Sequence, residues 1–165
     1  MIVVLAGLPG TGKSTLAREL GGVVLNKDDL RAALFPAALV EYSTEQDDFV
    51  QELMERTAEY LLTRSPGLTV FFDGRTFSRR YQIGRVIRLA ERLRTPWRII
   101  ECVCTEKVAR ERIERGKKHP AKNRTVDLYL KIREEFEPIE HPKLVVDTGE
   151  ARDLSAVRRF LAEGC

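Results

Sequence analysis

Residues 7–14 read GLPGTGKS, a glycine-rich run closing on a lysine and a hydroxyl residue with the spacing G-x-x-x-x-G-K-[ST]. Free of side chains at Gly7, Gly10 and Gly12, the backbone can curl its N–H groups around phosphate oxygens, helped by the positive end of the helix that follows. Lys13 then reaches the β- and γ-phosphates, the Ser14 hydroxyl serves Mg²⁺, and Gly10, Thr11, Gly12 and Thr15 complete the cradle. A strand-like run before the loop and a helix-like run after it set aside the plainer reading, a glycine-rich turn that binds nothing. The expected ligand is a nucleoside triphosphate with Mg²⁺. The cradle does not say where the phosphoryl group goes, since kinases, GTPases and motor ATPases share it.

The next chemically loaded stretch is NKDDLR at 26–31. As N-K-x-D it could read guanine, but that motif belongs after a late strand, and here it begins 13 residues after Lys13. No D-x-x-G follows the third apolar run either, where Asp73 precedes GRT. A carboxylate just beyond the carboxyl end of the second strand faces the ligand cleft of an open parallel sheet. Asp28 is therefore expected to take the proton of an acceptor hydroxyl during in-line transfer. The blander role, capping the following helix, is expected of at least one of Asp28 and Asp29.

Taken together, GLPGTGKST, NKDDLR, the acid closing the third strand in VFFDGRT and the arginine-rich ARERIERGKK resemble the small P-loop kinases of the polynucleotide-kinase and zeta-toxin type. The resemblance implies that Asp28 acts as the base, that Arg31 contacts the acceptor, and that Arg115 clamps the transferring phosphoryl group, with Arg112 beside it on the nucleotide. It casts Asp73 as a Walker B-like acid on Mg²⁺, with an acceptor contact or a purely structural hydrogen bond as alternatives. Arg75 and Arg79 lie near the strand ends and are candidates for an anionic acceptor. Arg85, Arg88 and Arg92 fall on one helix face opposite its apolar stripe, which is ordinarily a solvated face and less often a nucleic-acid track.

Five apolar runs must hold these groups: 2–6, 23–25, 68–72, 98–103 and 143–146. Lacking polar alternation, they read as strands buried on both faces. Helical patterns fill the intervals at 13–20, 28–34, 45–63, 78–94, 106–115, 125–136 and 153–163. Ser43 and Gln46 form a possible capping box, and Phe49, Leu53, Thr57 and Tyr60/Leu61 a possible buried stripe. Strand–helix alternation predicts an α/β fold, a three-layer P-loop NTPase sandwich with a five-stranded parallel sheet and helices on both faces. One domain is expected over 1–165, with a small basic lid near 110–125.

The bulk numbers permit this reading. With 165 residues, 43% hydrophobic and 32% charged, the chain has an ordinary globular composition. A net charge of +3 suits a phosphate-bearing ligand without requiring nucleic acid. Cys102 and Cys104 read as buried free thiols, Cys165 as an exposed one, and His119 and His141 are too few for a histidine-based metal site. No apolar run approaches a membrane span, MIVVLAG lacks the basic flank of a signal peptide, and a cytoplasmic location is expected. The expected activity is ATP- and Mg²⁺-dependent transfer to a hydroxyl, foremost a polynucleotide 5′-hydroxyl. The alternatives are a small antibiotic, sugar or nucleoside, or a nucleotide switch with no acceptor. Apolar groups and acids at 34–48 already disfavour a polyanion.

Overall fold

The computed structural model of the protein describes residues 1–116, 121, 123–149 and 153–163. The apolar runs become β1 (Ile2–Ala6), β2 (Val23–Asn26), β3 (Val70–Asp73), β4 (Trp97–Val103) and β5 (Leu144–Asp147). They pair in parallel in the order β2-β3-β1-β4-β5, with β1 at the centre and buried along its whole length.

Successive side chains of a strand point to opposite faces, so the sheet feeds two cores. Ile2, Val4, Ala6, Val70 and Phe72 pack against α3 (Thr44–Arg64) and α4 (Arg80–Arg92) through Met54, Ala58, Ile83 and Val86. Val3, Leu5, Phe71 and Cys102 pack on the other face against α1 (Lys13–Leu20) and α7 (Leu154–Ala162) through Leu16, Ala17 and Val157. A third cluster, Ala109, Ile113 and Tyr129, joins α5 (Glu106–Arg115) to α6 (Val126–Glu135), with Leu8 of the glycine-rich loop packed against it. This is the three-layer α/β arrangement that the alternation predicts.

Three local expectations are corrected. The helix after β2 is α2 (Lys27–Leu34), and neither Asp28 nor Asp29 caps it; the Asn26 side chain does, accepting from both of their N–H groups. The apolar stripe of α3 runs one position on, through Val50, Met54, Ala58 and Leu62, while Phe49 and Tyr60 are exposed. Phe49 instead meets Phe35 edge-on, 6.1 Å between ring centres, outside the core. Ser43 caps α3 through the Gln46 N–H, but the Gln46 side chain turns to the Glu41 N–H and the Leu39 carbonyl, so the box is half made.

Cys102 is buried and Cys104 half-buried, and among the described residues neither forms a disulfide. Cys165, His119 and positions 117–120 and 122 of the expected lid lie outside the described residues. Among the described residues, no helix is long and apolar enough to cross a membrane.

Candidate active site

The loop after β1 earns its glycines by geometry. Gly10 has φ 86°, and a Cβ there would lie 2.7 Å from the Ala109 carbonyl oxygen of α5. Gly12, at φ 77°, stands where α1 begins; no side chain caps that helix and no acid occupies its first turn, which leaves its N–H groups for an anion. Lys13 Nζ donates to the carbonyls of Gly7 and Leu8 at 2.8 and 2.9 Å, so it bridges the loop's own oxygens. Burial pulls its pKa below the ordinary lysine value, opposed chiefly by the charge of Asp73.

Behind the loop stands Thr148, just past β5. Its hydroxyl donates to the Thr11 carbonyl at 2.8 Å and accepts from Arg112 Nη1 at 3.0 Å, while Arg112 Nη2 donates to the Thr148 carbonyl at 2.6 Å. Arg112 Nη1 also approaches the Gly10 carbonyl at 3.3 Å. Arg112 therefore braces the cradle and is absent from the cleft wall.

In front of the loop opens a cleft of about 760 Å³, bounded by Gly10, Gly12, Lys13, Ser14 and Thr15 on one side. Asp28, Arg31, Arg75 and Arg79 line its other side, so the structure brings the expected phosphate and acceptor groups together. Asp28 stands in the first turn of α2, where a carboxylate is favoured by the helix dipole, and accepts from Arg31 Nη1 at 3.2 Å. Lys27 donates to Asp47 at 2.8 Å and lies 3.7 Å from Asp28. Its burial pushes its pKa down to about 7, with Asp28 opposing. Asp47 also pairs with Arg31, whose guanidinium lies over the Tyr42 ring at 5.0 Å. The next residue, Asp48, pairs with Arg75 at 2.7 Å.

Asp73 closes β3 with no exposed surface. Its Oδ2 accepts from Asn26 Nδ2 at 2.6 Å, and its Oδ1 has no partner. An orphaned carboxylate oxygen at the carboxyl edge of the sheet, with its charge acting on Lys13, fits a Mg²⁺ ion held directly or through water. Among the described residues no cluster of three or more His, Cys, Asp and Glu could hold a metal unaided, so such an ion would depend on Ser14, Asp73, phosphate and water.

Besides Arg112, which was expected on the nucleotide, two more arginines differ from expectation. Arg115 is on the exposed last turn of α5, side chain 82% accessible, 3.5 Å from Glu111 one turn earlier, and does not line the cleft. Arg124, just before α6, does line it. Burial lowers the Arg124 pKa, opposed by the nearby charge of Asp28. Arg79 reaches the cleft but is engaged with Glu135 at 2.7 Å and Glu137 at 3.5 Å. Sequence reasoning also passed over Asp47, Asp48, Tyr42 and Thr148, which carry no spacing pattern of their own, and over Asn26 and Lys27, for which the NKDD cluster was the available signal.

A parallel sheet in the order 2-3-1-4-5, with a glycine-rich loop, lysine and serine leading from its central strand into a helix, is the P-loop NTPase fold of the kinase type. Residues 2–138 match the AAA_33 family, an AAA domain, and the chain belongs to that family. Similar solved structures include a candidate kinase from Chloroflexus aurantiacus (23% identity, TM-score 0.75, covering 99% of this chain and 97% of that one). A gluconokinase from Sinorhizobium meliloti follows at 17% identity and TM-score 0.63, with coverage of 95% and 86%. The Mycobacterium tuberculosis APS kinase CysC, solved with AMPPNP and APS, has the same identity, 17%, and TM-score, 0.63, with coverage of 96% and 94%. A comparison with curated proteins finds no match to the sequence.

Proposed function

We propose that the protein transfers the γ-phosphoryl group of ATP to a hydroxyl of a small-molecule acceptor. The observation that carries this reading is that Asp28 and Lys13 line one cleft, close enough for the Asp28 charge to act on the Lys13 ammonium. The loop N–H groups and Lys13 would hold the β- and γ-phosphates. Asp28 would take the proton of the acceptor hydroxyl as its oxygen attacks the γ-phosphorus in line and the bond to the ADP oxygen breaks. Mg²⁺, held by Ser14 and Asp73 with water, would draw charge from the phosphate oxygens. Arg124 takes the clamping role first expected of Arg115, because it is the one of the two in the cleft wall. Arg31 and Arg75 would position the acceptor.

The small acceptor is favoured over a polynucleotide end by the charges outside the cleft. Arg85 and Arg92 of α4 are paired with Glu55 and Glu59 of α3, at 3.1 and 3.0 Å, which interrupts the row of cations on that helix face. The names of the gluconokinase and of the APS kinase bound to APS point the same way. An acceptor-less switch would have no use for a carboxylate placed as Asp28 is.

The test is transfer from γ-labelled ATP with Mg²⁺ to sugars, sugar acids, nucleosides, aminoglycosides and 5′-hydroxyl oligonucleotides. Label is expected on a small molecule, with transfer lost in Asp28→Asn and nucleotide affinity retained. Wild-type transfer by Asp28→Asn would overturn the assignment of the base.

A further inference from the structure

The helix α6 carries two apolar stripes, and α5 covers one of them. Val126, Tyr129 and Leu130 pack into the cluster shared with α5. Leu128 and Ile132, one turn apart and half-buried, belong to none of the three apolar clusters and form part of the cleft wall instead. Asp127, Lys131 and Glu134 are exposed and take the solvent side. A helix packed on one neighbour needs one apolar stripe, and a single exposed leucine would call for no account. Two such side chains at i and i+4, inside a cleft rich in guanidinium and carboxylate groups, do call for one.

Their place along the cleft ties them to the acceptor. Arg124, just before α6, lies where its charge acts on both Lys13 and Asp28, which marks the proposed point of transfer. From there the cleft-facing stripe runs Leu128, Ile132, Glu135, spanning about 10 Å at the helical rise. Its far end meets Arg79, which Glu135 holds at 2.7 Å. Tyr81, two residues beyond Arg79, is 45% exposed in the same wall. Its hydroxyl accepts from Arg75 Nη2 at 3.2 Å, and its ring adds apolar area to the cleft. Between the transfer point and the polar far end there is thus a stretch of hydrocarbon about one ring long. Apolar area gains affinity only when something apolar drives water from it.

We propose that the acceptor is an alcohol with a hydrocarbon or aromatic body next to its reacting hydroxyl, and that Leu128, Ile132 and Tyr81 receive that body. The proposal rests on the kinase reading above and names the class of acceptor.

The test is binding to protein saturated with AMPPNP and Mg²⁺, read by calorimetry and by the methyl resonances of Leu128 and Ile132. Cyclohexanol is set against myo-inositol, the same ring hydroxylated at every carbon, and phenyl β-D-glucoside against methyl β-D-glucoside. At least one apolar member is expected to bind about tenfold or more tighter than its counterpart and to shift the methyl resonances of both residues. The double variant Leu128→Gln/Ile132→Gln keeps good helix formers on a half-buried face and should erase most of that preference while unfolding at a temperature near wild type. Should it unfold early, the wild-type methyl shifts decide alone. Apolar members that bind no better than polar ones, leave those methyls unmoved, or keep their preference in the variant overturn the proposal. Methyls that move fully with AMPPNP and Mg²⁺, and no further with the alcohols, would give the stripe to the nucleotide and overturn it too. Because binding is read without turnover, apolar preference with no label transfer from ATP to any alcohol would sink the kinase reading and spare the subsite. Transfer to inositol or methyl glucoside in preference to their apolar counterparts would do the reverse.

Discussion

Asn26 Nδ2 donates to Asp73 Oδ2 at 2.6 Å, while Asn26 Oδ1 accepts from the N–H groups of Asp28 and Asp29 at 2.9 and 3.1 Å. One amide joins the ends of β2 and β3, caps α2 and fixes where the proposed base stands. The join is tight: Gly74 has φ 77°, and a Cβ there would lie 2.6 Å from Asn26 Oδ1. Asn26→Ala removes a helix cap, worth about 1 kcal/mol, and strips a buried carboxylate of its partner, worth about 1–3 kcal/mol more. Urea unfolding should show a loss of roughly 2–4 kcal/mol by that sum. Label transfer should fall further than nucleotide affinity, since it is Asp28 that loses its footing.

Lys27 gives the stability a pH dependence with a definite sign. Its folded pKa is pushed down to about 7, against 10.5 for a free lysine, so between those values the unfolded chain binds the extra proton. Stability from this group therefore rises with pH across that window, by up to about 1.4 kcal/mol per unit, and the gain is absent below pH ~7. Unfolding at pH 7 and pH 9 should show the wild type gaining on Lys27→Met, in which Asp47 keeps Arg31 as its partner. Equal slopes for the two proteins would contradict the buried, partly neutral lysine.

Arg124 and Arg115 make a matched pair. Arg124→Ala should cut transfer by about tenfold or more, the effect of losing a cation at the transferring phosphate. Arg115→Ala should stay within about twofold, as expected of an exposed i,i+4 ion pair. Steady-state rates of the two variants decide which arginine clamps, and the opposite ranking would return the role to Arg115.

Thr148 is 137 residues from Thr11 in the chain and shares a hydrogen bond with it. Thr148→Val keeps the shape but removes the donor to the loop and the acceptor of Arg112. Nucleotide affinity, measured by calorimetry, should weaken by roughly fivefold to tenfold, the worth of about one net hydrogen bond or slightly more. No residue of the cleft wall is changed in that variant.

The fold was legible because periodicity reports burial directly. Runs such as IVVLA can serve only a strand covered on both sides, and α1 and α5 occupy the spans that spacing and capping predict. The stripe of α3 slipped by one position because Phe49 and Tyr60, the larger apolar groups, stand at the surface while Met54 and Ala58 face the sheet. In the site, the loop was readable because its spacing is enforced by phosphate geometry. The acceptor wall was not, because the packing of α3 against α2 brings Asp47 to Arg31, where Tyr42 also lies, while Asp48 meets Arg75 in the loop after β3. The clamping role expected of Arg115 came from likeness to an arginine-rich helix, and which side of α5 faces solvent is settled only by Ala109 and Ile113 packing inward.

The contact of Gly10 with the Ala109 carbonyl has a thermodynamic corollary. With no space between loop and α5 for even a methyl group, α5 cannot move toward the loop without pushing the loop with it. Linkage is reciprocal, so whatever holds α5 in place also sets how tightly the loop grips its phosphates. Glu106 near the start of α5 is paired with Arg110 and with Arg133 of α6, well outside the cleft wall. Nucleotide affinity in this protein can thus be retuned by substitutions that never meet the nucleotide.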